Sequence, residues 1–130
     1  IYKYMNFITK LGAFHNDILI SINDSNDEFI AFITQHLQTK EITQIKKGEV
    51  MNLKPYIDAR TWESNEGFVI MRMVNDIKTP YDIGMLAHEC LHIVDYILDS
   101  CNTPYTEDTK EVYTHHLQFI ITKILTEINK

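Results

Sequence analysis

The clearest pattern of apolar and polar positions lies in the second half of the chain. Between Pro80 and Ser100, apolar residues recur three or four positions apart, as they do on one face of a helix. Thr79 and Pro80 suit the start of this helix, and Pro104 prevents its continuation. The predicted apolar face consists of Ile83, Leu86, Ala87, Cys90, Leu91, Val94, Ile97 and Leu98.

A second helix is predicted from a cap at Thr106 to the C-terminus. Its apolar stripe consists of Tyr113, Leu117, Ile120, Ile121, Ile124 and Ile128. Because the connection after the first helix is short, the two helices are expected to form an antiparallel hairpin.

The first half of the chain predicts mixed structure. Residues 17–22 (DILISI) indicate a short strand, and residues 28–37 have apolar positions at helical spacing. Residues 41–53 are interpreted as a weak hairpin around a Lys-Gly break. Residues 56–62 and 68–74 predict two strands joined by a loop that contains Asn and Gly. We therefore expect residues 1–130 to form a single α+β domain.

Composition narrows the classes of function. The formal net charge of the 130-residue chain is −6, and its 12 basic residues are scattered rather than clustered. This argues against binding to nucleic acid or to anionic membranes. Cys90 and Cys101 are about 16 Å apart if both lie on one helix, too far for a disulfide. The unbridged cysteines favour a reducing compartment such as the cytoplasm.

Residues 88–92 (HECLH) carry the most specific chemistry. On a helix, His88 and His92 lie one turn apart on the same face, so that both imidazoles can bind one zinc ion. Glu89 is close enough to reach a water molecule at the metal. This is the H-E-x-x-H arrangement of metallopeptidases. The alternative is a pair of histidines that is satisfied by hydrogen bonds within an ordinary helix.

A catalytic zinc needs a third protein ligand and one open position. Leu98 stands where a third histidine would follow in one class of such enzymes, which excludes that class. On the predicted helical hairpin, Glu111 lies at a height similar to that of His92, although it would equally suit the first turn of its own helix. His115, one turn beyond Glu111, is an alternative ligand, an oxyanion donor or an exposed residue.

The segments AHECLHIVDYIL and PYTEDTKEVYTHHLQFI resemble zincin-type metallopeptidases of the gluzincin kind. They are most similar to minimal zincin-like proteins encoded by phages and prophages. The resemblance covers about residues 68–125, and residues 1–60 match nothing in that family. It implies a minimal zincin-like domain in which a small sheet packs on the H-E-x-x-H helix and the C-terminal helix.

The resemblance also implies roles for individual residues. Zinc would be bound by His88, His92 and Glu111, with Glu89 as the catalytic base. Thermolysin-like enzymes have an aspartate that orients the first histidine where this chain has His115, so the hydrogen bonding around the ligands must differ. Apart from the resemblance, we expect His115 to act in catalysis by stabilising the oxyanion. Residues 68–74 are expected to form the exposed sheet edge to which an extended substrate pairs.

The expected function is hydrolysis of a peptide bond in a peptide or protein substrate. The competing hypothesis is a non-catalytic zinc protein that serves as a phage structural or host-interaction component. If the protein is encoded by a phage, its partners would include phage or host proteins and it would be associated with the virion.

Overall fold

The structure, a computed structural model, describes residues 4–130. This part contains four strands, four α-helices and one 3-10 helix. In chain order they are β1 (Met5–Lys10), β2 (Asp17–Ile22), α1 (Asn26–Thr34), α2 (Thr39–Lys46), the 3-10 helix (Glu49–Asn52), β3 (Ala59–Glu63), β4 (Val69–Met73), α3 (Pro80–Ser100) and α4 (Lys110–Ile128). The predicted α+β class is confirmed.

The four strands form one mixed sheet in the order β1-β2-β4-β3. β2 and β4 are parallel, whereas β1 pairs with β2 and β3 pairs with β4 in antiparallel fashion. The hairpin predicted between β3 and β4 is confirmed. The prediction that residues 68–74 form the exposed edge was wrong, because β4 pairs with strands on both sides and β3 lies at the edge.

The sheet separates two apolar cores, since alternate residues of a strand point to opposite faces. On one face, Val69, Met71 and Met73 of β4 belong to the core that includes α3 and α4. On the other face, Ile70 packs with residues of α1, α2 and the 3-10 helix. The central strand is therefore buried along its whole length.

A buried ion pair fixes the second face of the sheet. Arg72 is 1% exposed, and its Nε donates to the Asp24 carboxylate at 3.2 Å. Its Nη1 donates to the Asn26 side chain and to the Val50 carbonyl, each at 2.9 Å. The guanidinium also lies 4.4 Å from the centre of the Phe29 ring. One side chain thus connects β4 to α1 and to the 3-10 helix.

α3 begins and ends where the sequence predicts. The Thr79 hydroxyl accepts from the backbone amide of Asp82, whose carboxylate accepts from the backbone amide of Thr79, a reciprocal cap. Two residues of the predicted apolar face, Ile83 and Leu91, are exposed. Ile93, which was not on that face, is fully buried against the sheet.

Two other elements differ from prediction. Residues 41–53 form α2 and the 3-10 helix rather than a hairpin, because Ile42 and Ile45 lie on one helical face and pack into the second core. α4 begins at Lys110 and not after Thr106, since the Thr109 hydroxyl donates to the Pro104 carbonyl and holds the preceding residues in a turn.

The buried ion pair generates the first prediction. Arg72→Met leaves the Asp24 carboxylate buried without its countercharge, so it should lower the free energy of unfolding by about 3–5 kcal/mol. Urea unfolding followed by circular dichroism measures this. The matched control is Arg60→Met, because Arg60 pairs with Glu49 in the open, with the two side chains 48% and 84% exposed. That change should cost no more than about 1 kcal/mol. Equal effects of both substitutions would contradict the prediction.

Candidate metal centre

Two histidines of α3 direct their ring nitrogens to a common point. The Nε2 atoms of His88 and His92 are 3.3 Å apart, and both residues are exposed. Two ligands at about 2.0–2.1 Å from a tetrahedral zinc ion are separated by about 3.3–3.4 Å. This separation fits a shared tetrahedral metal, and it also fits a hydrogen bond from one imidazole to the other.

Glu89 completes a group of three potential ligand residues. One carboxylate oxygen of Glu89 and one ring nitrogen of each histidine all lie within 4.8 Å of one another. Its Oε2 is 3.9 Å from His88 Nε2, which is longer than a hydrogen bond. In contrast to the histidines, Glu89 is only 7% exposed. The group of His88, Glu89 and His92 could hold a metal ion.

Thr61 fixes the orientation of Glu89. Its hydroxyl donates to Glu89 Oε1 at 2.8 Å, which leaves Oε2 on the side of His88. Thr61 lies in β3 opposite Met71, and its side chain points to the α3 face of the sheet. No pattern in the sequence predicts this contact, because a threonine in a strand is ordinary and its partner lies 28 residues away.

The cysteine inside the motif takes no part in the group. Cys90 is fully buried in the core beneath α3, as the sequence predicted. Burial raises the pKa of its thiol to about 12, and the charge of Glu89 adds to the effect. Metal binding needs a thiolate, so Cys90 is a packing residue. Cys90 and Cys101 are both free, which confirms that they do not bridge.

The two residues predicted on the C-terminal helix lie outside this group. Tyr113 faces the core and is 2% exposed. Glu111 and His115 are each two residues from it, which at about 100° per residue places them on the opposite side of α4. Both are exposed. The ligand role of Glu111 and the catalytic role of His115 stay predictions.

Cavities open on both sides of the histidine pair. One, of about 440 Å³, is lined by His88 and Glu89 together with Gly84, Tyr81 and other residues. Gly84 lies one turn before His88, and a side chain there would meet only open space. The other cavity, of about 470 Å³, lies between α3 and α4 and is lined by His92.

Comparison with known proteins finds no match to a protein family, to a curated protein or to a solved structure. The resemblance to zincins therefore stays a prediction, and the case for a metal centre rests on the geometry of α3. Among residues 4–130, no helix is long and apolar enough to cross a membrane.

The contact between Thr61 and Glu89 generates the second prediction. Thr61→Val removes the donor and leaves a buried carboxylate oxygen unpaired, so it should lower the free energy of unfolding by about 1–3 kcal/mol. In a Glu89→Met background the same change should be nearly neutral, because no carboxylate remains. Urea unfolding of the four proteins gives the coupling. An equal cost in both backgrounds would show that Thr61 does not stabilise Glu89.

Proposed function

We propose that the protein is a zinc-dependent metallopeptidase. The observation that carries the proposal is the 3.3 Å separation of the Nε2 atoms of His88 and His92, with the Glu89 carboxylate beside them. Neutral imidazole is a preferred zinc ligand, and two of them at tetrahedral spacing fit this ion well.

A zinc ion bound by His88 and His92 would supply Lewis acidity, which brings the pKa of water towards neutrality. The chain contributes the proton transfers. Glu89 Oε2 faces the histidines, so it can take a proton from the attacking water and return it to the leaving amine. Thr61 holds the other oxygen, so Glu89 keeps one orientation through both transfers.

The surroundings of the histidines support a peptide as the substrate. Cavities flank the pair on both sides, which leaves room for chain segments before and after a scissile bond. Beside α3, the outer edge of β3 pairs with no other strand of the described residues. An extended peptide can add to such an edge through backbone hydrogen bonds. We propose β3, in place of β4, as the strand that receives it.

Glu111 is proposed as the third ligand on one condition. Residues 110–112 must swing from the start of α4 towards α3 when metal binds, while Tyr113 keeps its buried position. Residues 110–112 are exposed, and α4 starts without a side-chain cap, so little buried structure opposes this shift. The carboxylate would also offset part of the zinc charge.

Metal content is the third prediction. Protein purified without chelator should carry about one zinc per chain, and zinc should raise its melting temperature. His88→Ala and His92→Ala should each abolish both effects. His15→Ala is the control, because His15 is exposed and lies far along the chain from α3. A parent protein that gains no stability with zinc would refute the metal centre.

The same titration, run against a competing chelator, tests the third ligand. Glu111→Ala should weaken zinc affinity by orders of magnitude, whereas His115→Ala should stay within about tenfold of the parent. Glu107→Ala is the control, because Glu107 is an exposed acid in the turn before α4 and pairs with Lys110. If Glu111→Ala and Glu107→Ala bind zinc equally well, Glu111 is not a ligand.

Catalysis is the fourth prediction. Glu89→Gln keeps the size of the side chain but removes the base, so it should retain zinc and lose peptidase activity by at least about 100-fold. Cleavage of a mixed peptide library, read by mass spectrometry, measures this. A parent that binds zinc and cleaves nothing would favour the non-catalytic alternative. Unchanged cleavage by the variant would exclude Glu89 as the base.

A further inference from the structure

The cavity between α3 and α4 is lined by apolar and acidic side chains that have no part in the proposed proton transfers. Its walls include Leu91 and Leu117 and the ring of Tyr105. Leu91 and Tyr105 are large apolar residues that are 48% and 62% exposed. Exposed apolar side chains that converge on one cavity are typical of a binding site. Because His92 lines the same cavity, whatever binds there lies next to the metal centre.

The charge in this cavity is negative. Asp95 lines it, and no ion pair among the described residues includes Asp95 or its neighbour one turn along, Asp99. A ligand that carries positive charge would be attracted to this place.

We propose that the cavity binds a cationic side chain, that of arginine or lysine, from the substrate residue next to the scissile bond. The inference rests on the proposed function and names its substrate class. The apolar stem of such a side chain would pack between Leu91 and Leu117. Its head group would lie between the Asp95 carboxylate and the Tyr105 ring, which both attract cations.

Other side chains fit this cavity less well. A neutral apolar side chain would contact the apolar walls of the cavity. It would also remove water from the Asp95 carboxylate without replacing the hydrogen bonds that the water made. An acidic side chain would be repelled by Asp95. The position of Asp95 also suits the length of a basic side chain, since it lies three residues, or about 4.5 Å along the helix axis, beyond His92.

The test starts with binding, which needs neither zinc nor turnover. Isotope-labelled, metal-free protein is titrated with N-acetyl-arginine amide, and with N-acetyl-norleucine amide as an uncharged probe. The arginine probe should shift the backbone resonances of Leu91, Asp95 and Leu117, and should bind more tightly than norleucine. Asp95→Asn should weaken the arginine probe about fivefold, the upper range for an exposed ion pair, and leave norleucine within twofold.

The matched control is Asp27→Asn. Asp27 is an exposed acid in the first turn of α1, on the other face of the sheet, and its substitution makes the same change in net charge. Both probes should bind this variant as they bind the parent. Resonance shifts elsewhere on the protein, or equal weakening by both variants, would overturn the proposal. So would equal affinity for both probes.

A second measurement separates this proposal from the proposed function. Zinc-loaded protein is given peptides that differ only in one residue, arginine or norleucine, beside the cleaved bond. Asp95→Asn should reduce the preference for arginine in kcat/KM by about fivefold. Arginine binding without any cleavage would leave the cavity assignment standing and refute the peptidase. Cleavage without a preference that depends on Asp95 would refute the cavity assignment and leave the peptidase standing.

Discussion

The burial of β4 on both faces is the constraint on which the rest of the structure depends. A strand with apolar side chains at 69, 70, 71 and 73 must be covered on each side of the sheet. α3 and α4 cover one face, while α1, α2 and the 3-10 helix cover the other. Arg72 is the exception among these side chains. Its charge is tolerated because Asp24, Asn26 and the Val50 carbonyl satisfy it.

The candidate metal centre follows from how α3 lies on that sheet. Packing of Cys90 and Val94 against the sheet fixes the rotation of the helix, so His88 and His92 point away from the core. Glu89 lies at the boundary between the buried core and the exposed face of α3. It is buried enough to accept a hydrogen bond from Thr61 in β3, yet its second oxygen remains near His88. The sheet thereby orients one carboxylate beside two exposed imidazoles, which is the arrangement that general-base chemistry at a metal needs.

The two long helices contribute different residues to the candidate metal centre and to the cavity beside it. α3 contributes all three members of the potential metal group among the described residues. α4 contributes Tyr113 and Leu117 to the cavity beside His92, but directs Glu111 and His115 to its other side. The position of α4 is fixed by Ile120 and Ile124 in the core and by the Tyr113 hydroxyl, which donates to the Thr103 carbonyl at 2.8 Å. Residues 110–112 precede these contacts, and they include Glu111, the proposed third ligand.

Elements whose signals are local can be predicted from the sequence alone. The cap at Thr79, the spacing of His88 and His92 on one face of α3, and the hairpin between β3 and β4 all depend on residues close together in the chain. Which strands lie inside the sheet could be learned only from the folded chain, because a run of apolar residues fits an edge or a centre equally well until its partners are known. The contact between Thr61 and Glu89 also depends on the packed fold. It requires one rotation of α3 against β3, which is set by the core as a whole and not by any local stretch of sequence. The outward direction of Glu111, by contrast, follows from the helical period once Tyr113 lies on the buried stripe.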